Sequence, residues 1–177
     1  MKIKKLNTPL TKEKLSVLKA GDMVSLTGII YTARDAAHKR LIDMINNNEK
    51  LPFNIENQTV FYAGPSPNKP SEVIGSIGPT TSYRMDAYSP KLIELGLLSM
   101  IGKGKRNKEV IDAIVKYGGV YFAAIGGAAA YMSNCIKSSK IISFEDLGTE
   151  AVREIYAEDM PLITAIDSKG NNALTVI

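Results

Sequence analysis

The run Met23 to Thr32, MVSLTGIIYT, constrains the fold most, because it is rich in β-branched and aromatic residues and passes without a turn into a segment of different period. Side chains of this kind favour a pleated backbone, so the run is expected to be a strand through the core. From Ala33 to Met44 the apolar positions Ala37, Leu41, Met44 and Ile45 recur at helical spacing, and Asn46-Asn47-Asn48 ends the pattern. A strand that feeds directly into a helix is the building unit of an α/β fold.

The unit recurs along the chain. Lys2 to Leu6, Thr59 to Ala63 and Val120 to Ile125 read as strands, and Thr11 to Leu18 as a polar helical or turn segment ending at Gly21. Leu51 to Asn57 reads as a loop, and Gly64 to Pro70 as a rigid proline-rich turn. Ser89-Pro90 resembles a cap followed by proline at the first helical position, opening a helix from Lys91 to Met100. Asn107 can cap a helix with the apolar face Val110, Ile111, Ile114 and Val115, stopped by Gly118-Gly119. Gly126-Gly127-Ala128-Ala129-Ala130 permits close packing as the chain enters a helix reaching about Lys137. Lys140 to Phe144, Ala151 to Ala157 and Leu162 to Asp167 read as strands without helices between them, which predicts a mixed sheet. The expectation is a single α/β domain over residues 1–177, with a central mixed sheet flanked by helices.

Composition excludes several classes. With 177 residues the chain is long enough to bury a substantial core, and no apolar run approaches the roughly 20 residues that span a bilayer. Its basic start, Met1-Lys2-Ile3-Lys4-Lys5, is not followed by an apolar signal core, so a cytoplasmic location is expected. One cysteine, Cys135, and one histidine, His38, give neither a disulfide framework nor a recognisable metal-ligand set. A net charge of +4 with scattered lysines reads as solubility and affinity for small anions rather than as a nucleic-acid footprint. No nucleophile elbow or nucleotide-binding fingerprint is present.

The chemistry concentrates in Gly75-Ser76-Ile77-Gly78-Pro79-Thr80-Thr81-Ser82-Tyr83-Arg84-Met85-Asp86. Val73 to Ile77 can run as a short strand, and Gly78-Pro79 then stops it. Free backbone N–H groups, the hydroxyls of Thr80, Thr81 and Ser82, and the forked guanidinium of Arg84 can converge there on a carboxylate or phosphate. The plainer reading is a glycine-proline turn with an exposed arginine, and local chemistry leaves both open. Two other segments share the pattern of a strand end passing into a helix start with a cation: Thr32 to His38, carrying Arg34, and Gly102-Lys103-Gly104-Lys105-Arg106. If the strand ends meet at one sheet edge, Arg34, Arg84 and Lys103 face a common crevice, and two arginines suit a substrate with two carboxylates. Arg34 and His38 are four apart and share a helical face, with Asp35 beside them. The plainer reading here is a helix start with Asp35 aiding the dipole and His38 half exposed.

Five motifs in order, Arg34-Asp35-Ala36-Ala37-His38-Lys39-Arg40, Gly64-Pro65, Gly75 to Asp86, Gly102-Lys103-Gly104 and Gly126-Gly127-Ala128-Ala129, resemble the β subunit, or carboxy-terminal domain, of class I iron-sulfur fumarate hydratases and L(+)-tartrate dehydratases. The likeness runs from about Leu6 to Asp167. It implies a swivelling β/β/α domain that pairs with an α subunit carrying a 4Fe-4S cluster on three cysteines, none of them supplied by this chain. It further implies a hydro-lyase active only with that partner, most simply one interconverting L-malate and fumarate in the tricarboxylic acid cycle, with L(+)-tartrate to oxaloacetate as the sister reaction. Carried over by motif, Arg34 and Arg84 bind substrate carboxylates, Thr80 stands at the proton-transfer position, and Lys103, or Lys105 in the alternative register, holds a carboxylate. Asp35 and His38 become supporting residues. A stand-alone domain that binds small anions is the reading from another class.

Overall fold

A computed structural model of the chain describes residues 2–124 and 129–175. Seven strands alternate with helices: β1 (Lys4–Asn7), α1 (Lys12–Ser16), β2 (Met23–Thr32), α2 (Asp35–Asn46), β3 (Thr59–Phe61), α3 (Ser89–Glu94), β4 (Ser99–Gly102), α4 (Lys108–Tyr117), β5 (Val120–Ala124), α5 (Ala129–Asn134), β6 (Ile136–Ser143) and β7 (Val152–Ile166). The strand expected at Met23 to Thr32 forms over those residues. Strands β1 to β5 pair in parallel, and β7 runs antiparallel to β2, β5 and β6.

The sheet is mixed, as expected, but it is not a central sheet flanked by helices. Strand β7 pairs with β5 through its last residues and with β2 along most of its length, so β2, β3, β4, β5 and β7 close into a small barrel. Closure comes from a segment that reads as two strands in the sequence. At the join, Leu26 of β2 faces Met160 while Gly28 faces Ala157, which leaves Glu158 and Asp159 opposite Thr27 alone. That surplus is a β-bulge, and Asp159 takes φ 48° within it. A bulge bends its strand, so one long β7 can serve both sides of the ring.

Alternation then sorts the side chains. Phe61, Ile101, Phe122 and Ile155 point into the barrel with Leu26, Ile30 and Leu162. Val60, Tyr62, Met100 and Tyr121 point outward beneath Leu41 of α2, Leu92 and Ile93 of α3 and Ile114 of α4. Both faces of β3, β4 and β5 are therefore buried, which accounts for their continuous apolar sequences. Each buried aliphatic side chain contributes about 1.5–3 kcal/mol, so a one-residue register slip exchanging the two faces is strongly disfavoured.

Other expectations need correction. The helix expected to reach Met100 ends at Glu94, Gly96 takes φ 104° after it, and Ser99 to Gly102 forms β4 between β3 and β5; the segment reads as helix because Leu97, Leu98 and Met100 carry no β-branch and continue the apolar pattern of Leu92 and Ile93. Residues 73–77 form no strand; they return along the proline-rich turn, where Ser66 N–H donates to Ser76 O at 2.9 Å. Helix α4 has the expected cap, with Asn107 Oδ1 accepting from Val110 N–H at 3.0 Å, and Gly118 ends it, but Ala113 takes a buried position while Val115 is exposed. Gly126, Gly127 and Ala128 lie outside the described residues, and α5 ends at Asn134, so Lys137 already belongs to β6. Among the described residues no helix is long and apolar enough to cross a membrane.

Candidate active site

The parallel strands bring their carboxyl ends to one end of the barrel: Thr32 pairs with Phe61, Phe61 with Ile101, and Ile101 with Phe122. Arg34 and Asp35 follow β2, Gly64 follows β3, and Lys103 follows β4. The excursion after β3 returns to the same place. Pro79 bridges to Ala63, and Thr80 N–H donates to Tyr62 O at 2.6 Å. Thr81 bridges to Lys103, and Ser82 N–H donates to Lys103 O at 2.9 Å. Residues 79–82 thus wedge between the diverging ends of β3 and β4, and the three segments singled out in the sequence meet at the end where open α/β sheets place their ligands.

Charge is balanced there. Arg34 caps α2 in extended conformation, and its Nε lies 3.5 Å from Glu150 Oε1. Asp35 opens α2, where the helix dipole favours a carboxylate, and its Oδ2 lies 2.6 Å from Arg84 Nη2. Arg84 is half exposed on the 3-10 turn Ser82–Met85. Arg34 Nε, Asp35 Oδ1 and Glu150 Oε1 are buried without a hydrogen-bond partner among the described residues. Three sheltered polar atoms left unsatisfied in one crevice are rare in a finished structure and mark a place for a further polar group. Thr80 is half-buried, its N–H is occupied by Tyr62, and its hydroxyl makes no hydrogen bond among the described residues. Lys103 and Lys105 are both exposed, but only Lys103 belongs to the ladder with Thr81.

His38 departs from the plainer sequence reading, being fully buried rather than half exposed. Its Nδ1 lies 2.8 Å from Arg34 O; a carbonyl only accepts, so Nδ1 carries the hydrogen and Nε2 is left as a bare acceptor. That Nε2 is buried without a partner among the described residues. The ring packs edge-on to Tyr62 at 5.2 Å and tilted to Tyr88 at 6.2 Å. Burial, helped by the charge of Arg106, pulls its pKa down to about 4, against the opposing pull of the Arg34 carbonyl and Asp35. A neutral His38 therefore tethers the first turn of α2 to the residue that bears the Arg34 guanidinium.

Beneath the crevice lies a network that the sequence reading missed. Arg106 is buried; its Nε donates to Asp86 Oδ1 at 2.6 Å and its Nη2 to Ser89 Oγ at 2.7 Å, while its guanidinium sits 5.2 and 5.0 Å from the Tyr62 and Tyr121 ring centres. Asp86 Oδ2 also accepts from Asn107 N–H at 2.7 Å. Ser82 Oγ hydrogen-bonds Tyr121 OH at 2.9 Å and accepts from Lys103 N–H at 3.1 Å. This approach requires Gly102, since a Cβ there would stand 1.9 Å from Ser82 Oγ. The ends of the 3-10 turn carrying Arg84 are thus pinned, at Ser82 to β4 and β5, and at Asp86 to Arg106. Nothing in the sequence separates Arg106 from the neighbouring lysines, and Glu150, which faces Arg34, lies in a stretch without a distinctive pattern.

Among the described residues no group of three or more His, Cys, Asp and Glu converges to hold a metal. Cys135 is a buried free thiol whose pKa is raised, chiefly by burial.

Fold and crevice define a class: a closed-barrel α/β domain that gathers paired guanidinium and carboxylate groups at the carboxyl ends of its parallel strands. The chain belongs to the Fumarase C-terminus family, which it matches over residues 1–176. A protein of Methanocaldococcus jannaschii, provisionally named L(+)-tartrate dehydratase subunit beta, is 44% identical over 169 residues, covering 92% of this chain and 87% of that protein. The aerobic class I fumarate hydratase of Escherichia coli (strain K12) is 39% identical over 171 residues, and fumarate hydratase 2 of Leishmania major is 38% identical over 175. Each of those alignments covers 94% of this chain, which spans only 31% and 30% of the two enzymes. The relatives are hydro-lyases, and this chain corresponds to a subunit or domain of them. The family resemblance read from the RDAAH and GSIGPTTSYRMD strings is confirmed.

Proposed function

We propose that this chain is the β subunit of a hydro-lyase acting on a small dicarboxylate, with reversible conversion of L-malate to fumarate and water as the first reading. The observation that carries it is the Arg84–Asp35 pair beside Arg34, in which an internal carboxylate already occupies one of two neighbouring guanidinium groups. A substrate carboxylate takes over from Asp35. With the two side chains 46% and 28% exposed, that ion pair is worth about 0–1 kcal/mol, so the exchange is cheap. Arg34 receives the second carboxylate, and its shielded Nε supplies a hydrogen bond that Glu150, at 3.5 Å, leaves unmade.

Elimination of water begins with loss of a proton next to a carboxylate, which builds negative charge on the carboxylate oxygens. Cations fixed around those oxygens favour that state over the ground state, and this is the role of Arg34, Arg84 and Lys103. This reading gives the Thr80 hydroxyl the proton-transfer role, on a backbone held by the bond from its own N–H to Tyr62 O. A threonine is a weak base, so its part in the step depends on cations close enough to favour its ionised form. Asp35 and His38 set the start of α2. A 4Fe-4S cluster does not fit this chain, whose one cysteine is buried, and belongs to the partner α subunit. A cytoplasmic location is part of the same proposal.

One observation favours the sister reaction, dehydration of L(+)-tartrate to oxaloacetate: the relative with that name matches this chain over 87% of its own length. The test is co-expression with the cluster-bearing partner, anaerobic reconstitution of iron and sulfide, and fumarate absorbance after addition of L-malate, beside Arg84→Ala and partner-only samples. Malate activity that needs this chain and collapses in Arg84→Ala supports the first reading. Oxaloacetate from L(+)-tartrate with malate inert selects the sister enzyme. An intact complex silent on both overturns malate and tartrate as substrates and points to another hydroxy acid or to an anion-binding role.

A further inference from the structure

Arg153 of β7 stands apart from the crevice. It pairs in register with Thr32 of β2 and Ile141 of β6 and is in step with Ile155 and Ala157, whose side chains fill the barrel. By the two-residue period of a strand its side chain turns toward the barrel interior, at the mouth of the barrel. Guanidinium groups in such places normally meet a carboxylate. Among the described residues Arg153 forms no ion pair: its Nε is buried without a partner, and Nη1 reaches only Ser139 Oγ, at 3.5 Å. Burial lowers its pKa, with no acidic group opposing the change.

The side chain lines a cavity of about 240 Å³. One wall is the loop carrying Ser66, Asn68 and Gly75; the other is the turn carrying Gly148 and Thr149. The loop wall is built by close backbone contact: Ser66 N–H donates to Ser76 O at 2.9 Å, and a Cβ on Gly75 would stand 2.0 Å from Ser66 O. The hydroxyls of Ser66 and Thr149 can complete the hydrogen bonds of a carboxylate held by the guanidinium fork, while Asn68, whose Nδ2 donates to Glu72 O at 3.0 Å, shapes the loop wall. Glu145 also lines the cavity without pairing to Arg153, and its charge opposes a ligand with a second negative group. The volume lies below the roughly 300–1,000 Å³ of pockets for drug-sized molecules.

We propose that the barrel mouth is a second anion site, separate from the Arg34–Arg84 crevice, in which Arg153 binds a small monocarboxylate between the residue 65–75 loop and the residue 145–149 turn. Thr149 adjoins Glu150, which faces Arg34, so the occupant and the crevice share one turn.

The test needs no enzymatic activity, so it stands or falls independently of the proposed reaction. The nitrogen-15-labelled full chain is titrated with sodium acetate at constant ionic strength while the Arg153 Nε–H and the amides of Gly148 and Thr149 are followed by NMR. Saturable shifts are expected in the wild type and in Arg84→Ala, with affinity reduced about tenfold or more in Arg153→Gln and partly retained in Arg153→Lys, which keeps the charge but not the fork. Drift without saturation, equal shifts in Arg153→Gln, or shifts lost in Arg84→Ala overturn the site. Phosphate binding as tightly as acetate overturns the monocarboxylate class. If acetate binds the chain alone but not its complex with the α subunit, the carboxylate comes from the partner, and the free-acid site is overturned.

Discussion

Lowering the pH from 7 to 5 should weaken this fold through a single side chain. His38 is the only histidine, and its folded pKa of about 4 lies below its ordinary 6.5. The unfolded chain therefore takes up the proton first. Stability is intact above the unfolded value and drains away as the pH falls through 6.5 toward 4. The gap between 6.5 and 4 corresponds to about 3 kcal/mol once both states are protonated, and about 2 kcal/mol of it is lost by pH 5. Asp22, Asp146 and Asp167 have pKa values below the ordinary aspartate value and add little in this window. Urea unfolding of the wild type and His38→Gln at pH 7, 6 and 5 isolates the effect, since the variant keeps the carboxylates and lacks the imidazole. The wild type should lose about 2 kcal/mol more than the variant between pH 7 and 5. Parallel pH profiles, or a His38 ring titrating near 6.5 by NMR, would refute the reasoning.

Two further outcomes follow from the network beneath the crevice. Asp86→Asn leaves the Arg106 charge buried without its counter-ion and should cost about 3–5 kcal/mol in urea unfolding; a loss under about 1 kcal/mol would show that the pair is not sealed from water. Gly102→Ala should cost about 1–3 kcal/mol by driving the new Cβ into Ser82 Oγ and Tyr62 Cδ2, and the same change should cost less in a Ser82→Gly background, where only the Tyr62 contact is left. Equal costs in the two backgrounds would show that the Gly102–Ser82 approach is not the constraint.

Much of this was legible before the fold was known, for reasons that differ by element. The period change at Ala33 marks β2 and α2, because a strand and a helix bury residues at different spacings. Arg34, Thr80, Arg84 and Lys103 stand out because each lies where glycine, proline or a helix start interrupts an apolar run, and the fold gathers those interruptions at one end of the barrel. Strand β4 is not legible: four residues buried on both faces have no polar beat to set a period. Barrel closure is not legible either, since it depends on the bulge at Glu158 and Asp159, whose polar residues read as a break between two strands. The burial of His38 and Arg106 is set by tertiary packing from α3, α4 and the residue 79–88 segment, none of it local to either residue.

Closing the ring has a consequence for assembly. Each of β2, β3, β4, β5 and β7 is flanked by partners, so the outer edges of the sheet fall to β1, four residues long with Lys4 and Lys5, and to β6, with Lys137 and Lys140. Lysines on both edges, and the shortness of β1, resist the addition of a foreign strand. The folded chain is therefore shielded from edge-to-edge stacking, and what the barrel mouth presents outward is loop side chains rather than backbone ladders.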